Sequence, residues 1–145
     1  MNSLLVFLLG GVAALAGCNH TPPVAAVSGK VLYNGEPLPY GNIVFQPQTG
    51  QPGGAWIQPD GTFKMSTYAE YDGAVPGSHK IAVTCFTSHS PSAKAKAKKN
   101  DSLGAMLLPA AYATCDQSGL TAEVPAGGID SLVFELKGPP HKFPK

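Results

Sequence analysis

Residues Val27 to Gln46 read VSGKVLYNGEPLPYGNIVFQ, and the alternation within them sets the fold class. Val27, Val31 and Tyr33 fall on one side of an extended chain while Ser28 and Lys30 fall on the other, the period-two pattern of a half-buried strand. Asn34-Gly35 follows, a pair suited to the positive φ of a tight turn. The pattern resumes over Asn42 to Gln46, with Ile43 and Phe45 sharing a face, and Pro47 closes it.

The same signature recurs downstream. Ala55 to Gln58 and Thr62 to Thr67 flank Pro59-Asp60-Gly61, where Pro presets φ, Asp bonds its own turn and Gly takes positive φ; this spacing predicts a hairpin. Lys80 to Phe86 places Ile81, Val83 and Cys85 on one face, and Leu120 to Val124 and Leu132 to Lys137 alternate again. Thr87 to Gly119 is a long, poorly patterned insertion in which only Ala93 to Lys99 or Leu103 to Tyr112 are expected to form a helical turn or two. About seven short strands between turn signals predict an all-β chain folded as a Greek-key β-sandwich. The tail from Gly138 to Lys145, GPPHKFPK, is too rich in Pro to extend a sheet and is expected to fray.

Composition agrees. The chain has 145 residues, 43% apolar and 13% charged, with 17 Gly and 14 Pro, which suits one modest core with many turns. A formal net charge of +1, with every basic residue a Lys, gives no basic field for nucleic acid.

Leu4 to Ala16, LLVFLLGGVAALA, is too short to span a bilayer but has the length of a secretory signal's apolar segment. Leu15-Ala16-Gly17-Cys18 then resembles the lipobox of bacterial lipoproteins, which implies cleavage before Cys18 and acylation of its thiol. The expected organisation is a signal peptide at 1–17, a lipidated tether at 18–24, a sandwich domain at 25–138 with its insertion at 87–119, and a Pro-rich tail at 139–145. The implied location is the bacterial cell envelope, held to a membrane by the lipid and facing the periplasm or exterior. An envelope protein or glycan is then the expected partner.

A second resemblance lies in the domain itself. Val27-Ser28-Gly29-Lys30-Val31, Asn34-Gly35-Glu36-Pro37-Leu38, Gly41-Asn42-Ile43-Val44-Phe45, the Asp60 to Phe63 segment and the Pro76 to Val83 segment are together similar to carboxypeptidase-regulatory-like domains. That resemblance implies a transthyretin-like sandwich serving as an accessory or binding module. Transthyretin-like hydrolases of purine breakdown need Arg and a Tyr-Arg-Gly-Ser terminus, and this chain has neither.

Residues able to carry chemistry are few. Cys85 and Cys115 form an even pair in an oxidising compartment and are a candidate disulfide that would pin the insertion to a core strand. Trp56 falls opposite the inward Ile57, so with Tyr71 it offers an aromatic binding surface. Lys94, Lys96, Lys98 and Lys99 form a basic run able to meet anionic groups. Asp60, Glu70, Asp72 and Asp130 sit near turns without the spacing of a calcium loop, and the four histidines are scattered. No metal site, cofactor or catalytic residue is therefore assigned. The leading reading is a lipid-anchored, non-catalytic binding or structural module; a carbohydrate or small-ligand carrier using Trp56 and Tyr71 comes second and an unrecognised hydrolase third.

Overall fold

The computed structural model describes residues 22–96 and 102–144. The lipobox residues Leu15 to Cys18, together with Lys98 and Lys99, lie outside them. Eight strands form two four-stranded sheets packed face to face. In the first sheet, β1 (Val27–Tyr33) lies between the parallel β8 (Ile129–Leu136) and two antiparallel partners, β2 (Glu36–Pro37) and β5 (Thr62–Lys64). The second is antiparallel in the order β4 (Gly53–Ile57), β3 (Gly41–Pro47), β6 (Gly77–Thr84), β7 (Leu120–Val124). The all-β sandwich read from the alternation is thus the fold, with β2, only two residues long, added to the seven strands expected.

The inward residues read from the sequence make the core. Val31, Ile43, Phe45, Ile81, Val83 and Leu136 are all fully buried. Phe45 of the second sheet meets Phe63 and Phe134 of the first at ring-centroid distances of 6.1 and 5.9 Å, so one aromatic cluster joins the two layers. Gly29 is required at its position: a Cβ there would stand 2.3 Å from the Leu132 carbonyl oxygen of the neighbouring strand.

Three expectations are corrected. The strands flanking Pro59-Asp60-Gly61 do not form one ladder, because β4 pairs with β3 in one sheet and β5 with β1 in the other. The turn itself is present, with Asp60 Oδ1 accepting from the Thr62 N–H and hydroxyl, but it is a corner at which the chain changes sheets. The tail does not fray over its described residues: the Tyr33 hydroxyl donates to the Pro139 carbonyl at 2.8 Å, and Phe143 packs edge-on against Tyr33 and Tyr40. An aromatic ring seven residues after the last strand is what docks so Pro-rich a segment, whose prolines themselves stay exposed.

The third correction concerns Cys85 and Cys115, which are both free. Cys85 follows β6 and points into the core, whereas Asp116, next to Cys115, pairs with Lys80 at 2.6 Å. Cys85 is thus enclosed among apolar side chains while Cys115 stays half-buried beside an exposed ion pair, and the two thiols remain unbonded. The insertion is pinned instead by hydrogen bonds, from Thr87 N–H to the Ala105 carbonyl, Leu107 N–H to the Cys85 carbonyl and the Ser118 hydroxyl to the Ile81 carbonyl. It carries 3-10 turns at Thr87–His89 and Ala110–Ala113 and the short helix α1 (Pro91–Lys96). Among the described residues no helix is long and apolar enough to cross a membrane.

Candidate functional site

The chain's change of sheet opens a cleft. Gly54 exchanges both backbone hydrogen bonds with Ser66, and the Gln58 N–H donates to the Thr62 carbonyl at 2.8 Å, so β4 and β5 are pinned at two points in a common register. Between the pins the strands part, since each follows the twist of its own sheet. The resulting cleft has a volume of about 550 Å³. Phe63 and Ala55 form its floor, Trp56 and Tyr71 supply aromatic wall, and Asn42, Gln58, Lys64 and Glu70 bring polar groups to it.

Trp56 projects from the outer face of β4, in register with Asn42 on β3, and remains 55% exposed. The insertion holds it from one side. The His89 ring stands edge-on to the indole at 5.4 Å, and Lys94 Nζ lies 4.7 Å from the ring centroid, a cation–π contact. His89 is fixed in turn by the Phe86 N–H, which donates to its Nδ1 at 3.3 Å. Burial, with the nearby Lys94 charge second, lowers the His89 pKa below its ordinary value, so the imidazole beside Trp56 favours the neutral form.

Tyr71, 61% exposed, owes its place to a clamped loop. Asp72 accepts hydrogen bonds from the N–H groups of Thr67, Tyr68 and Ala69 at 2.7, 2.9 and 2.9 Å. Partial burial would raise the pKa of this carboxyl, but the three backbone donors outweigh it and hold the group below the usual carboxylate range. Tyr71 sits at a φ of 58°, unusual for a side chain of its size, and its N–H donates to the Ser66 hydroxyl at 2.8 Å. The acidic turn residues Asp60 and Asp72 are therefore spent on their own backbone.

Of the residues singled out in the sequence, the structure brings Trp56, Tyr71 and Lys94 together, Lys94 by its contact with the indole. Lys96 closes α1 without a described side chain. Asn42, Gln58, Lys64 and Glu70 gave no signal of a site, because only the parting of β4 from β5 exposes them to a common space. A second depression of about 800 Å³ lies over the outer face of β3, β6 and β7. Its polar groups already satisfy one another, Lys80 with Asp116 at 2.6 Å and Ser78 with Glu123 at 2.5 Å. The described histidines stay apart: His79 is buried against Phe45, His89 lies on Trp56 and His141 lies beside Phe143.

No protein-family model and no curated protein sequence matches the chain. Among solved structures, a DUF3823 family protein from Parabacteroides merdae ATCC 43184 aligns over 81% of this chain with 14% identity and a TM-score of 0.36. The chain spans about half of that protein's length, 46%.

Proposed function

We propose that the chain is a lipoprotein of the bacterial envelope, anchored through Cys18, whose carboxypeptidase-regulatory-like sandwich is a non-catalytic binding module with its ligand site in the Trp56–Tyr71 cleft. The anchor is supported by the sequence from Leu4 to Cys18. The single observation that carries the binding reading is the cleft itself: two solvent-facing aromatic rings over an apolar floor, bordered by side-chain amides and one group of each charge. Such a surface suits a small polar ligand with an apolar face, above all a saccharide, whose ring stacks on aromatics while its hydroxyls meet amides and charges.

Two measurements test it. Intact mass of the membrane-extracted protein beside a Cys18→Ala variant is expected to show acyl chains on the former alone; an unacylated native product would sink the anchor. Trp56 is the chain's only tryptophan, so its emission reports the cleft directly. Saturable changes with oligosaccharides, abolished together with calorimetric binding in Tyr71→Ala, are expected; silence across a panel of neutral and charged saccharides would overturn the cleft as a sugar site.

A further inference from the structure

The cleft contains an open rung of backbone. Gly54 pairs with Ser66 and Gln58 bonds Thr62, so the register between the two strands places Trp56 opposite Lys64. Antiparallel strands turn alternate residues toward the same neighbour. Because Gly54 and Gln58 direct backbone groups at β5, Trp56 between them does so too. On β5, Val31 N–H donates to the Gly61 carbonyl and Met65 N–H to the Val27 carbonyl, so Gly61, Phe63 and Met65 face β1 and Lys64 faces Trp56. Yet β4 and β5 share no ladder and the Gly54–Ser66 bridge stands isolated, so among the described residues no backbone pair joins Trp56 to Lys64. Among the described residues the Trp56 carbonyl receives the Gln58 side-chain amide, at 3.4 Å.

Trp56 N–H and the N–H and C=O of Lys64 thus border the cleft without a partner among the described residues, beside two aromatic rings. Backbone groups in a partly enclosed site seek partners. Resting on the binding reading above, we infer that the cleft selects saccharides bearing a pendant acetamido group. That group carries one N–H and one C=O arranged like those of a peptide unit, so it satisfies one donor and one acceptor of the open rung. The pyranose to which it is attached supplies the face that stacks on Trp56 or Tyr71. A threaded peptide strand is disfavoured, because the seam is closed at one end by the Gly54–Ser66 pair and at the other by the three-residue corner. Only a side group can enter.

The full chain in mild detergent is titrated with the trimer of N-acetylglucosamine, the trimer of glucose and an acetylated, amidated tripeptide with a central Asn, using Trp56 emission and calorimetry. The acetylated sugar is expected to bind at least about tenfold tighter than the glucose trimer, equal to about 1.4 kcal/mol. Lys64→Pro, which removes an N–H directed at the cleft and not at β1, is expected to lose most of that preference, while Lys64→Ala, which takes the ammonium from the rim and weakens both sugars alike, keeps the ratio between them. Should Lys64→Pro fail to fold, the ratio of the two sugar affinities on the unaltered chain decides. Equal binding of the two sugars overturns the acetamido selectivity and leaves the saccharide cleft standing. Tighter binding of the tripeptide assigns the rung to a peptide amide and overturns the saccharide assignment. No binding of any of the three overturns both.

Discussion

Replacing Asp72 by Ala removes the acceptor for three backbone N–H groups at 2.7 to 2.9 Å and with it the clamp on the loop that carries Tyr71. Hydrogen bonds to a charged acceptor contribute about 1.5 to 3 kcal/mol each when buried, but this loop is partly solvated and water recovers much of that, so the summed loss is about 2 kcal/mol. At a typical urea dependence of ~2 kcal/mol per molar, the unfolding midpoint falls by about 1 M. Asp72→Asn keeps one acceptor but loses the charge, and about half the effect is expected. The pH dependence follows from the carboxyl's lowered pKa: the stabilisation is fully present above the unfolded value, near 3.8, and is lost as pH falls through the lower folded value. Wild type is therefore expected to lose part of its stability below about pH 4 that Asp72→Asn lacks throughout. Urea unfolding followed by Trp56 emission at several pH values measures both. An Asp72→Ala variant within ~0.5 kcal/mol of wild type, a margin typical of neutral surface changes, would refute the clamp.

Other outcomes are as definite. Phe45→Ala, at a fully buried position touching Phe63 and Phe134, is expected to cost about 3 to 5 kcal/mol in urea unfolding, and a loss under ~1.5 kcal/mol would contradict the inter-sheet cluster. Cys115 is expected to react with a thiol reagent in the native state, whereas Cys85, fully buried with its thiol pushed up to about 12, reacts only on unfolding; a Cys85–Cys115 peptide in a non-reducing digest would count against this packing. Because His89 has a pKa below its ordinary 6.5, its share of stability is present above that value and falls as pH drops through the folded value. Trp56 emission is expected to titrate in that same window and to lose the transition in His89→Gln; an unchanged titration in the variant would remove His89 from the indole's surroundings.

Much of the sandwich was legible because its strands carry their own period. Ile43 and Phe45, Ile81 and Val83, Phe134 and Leu136 each announce an inward face, and Trp56 announces an outward one through its offset from Ile57. The corner at Pro59-Asp60-Gly61 was not, since the same residues serve a hairpin turn and a change of sheet. Which sheet β5 joins is decided by Gly29 and Phe63 meeting across more than thirty residues, a long-range pairing that local pattern does not carry. The cleft inherits that blindness: its aromatic members were visible singly, but Lys64 and the open rung exist only because two strands in register belong to different layers. The cysteines mislead for a related reason, an even count saying nothing of whether the core-facing thiol of Cys85 and the half-buried thiol of Cys115 meet.

The parallel pairing of β1 with β8 has a mechanical consequence. Val27 opens β1 at one end of that ladder and Leu136 ends β8 at the other, with Val27 beside Ile129 and Tyr33 beside Leu136. A pull applied between the two chain ends therefore slides the first and last strands along each other and loads their rungs together, not one after another as in peeling. A domain tethered at its N-terminal side and drawn from its C-terminal side would resist as a shear joint, yielding at the high force needed to break several backbone hydrogen bonds at once.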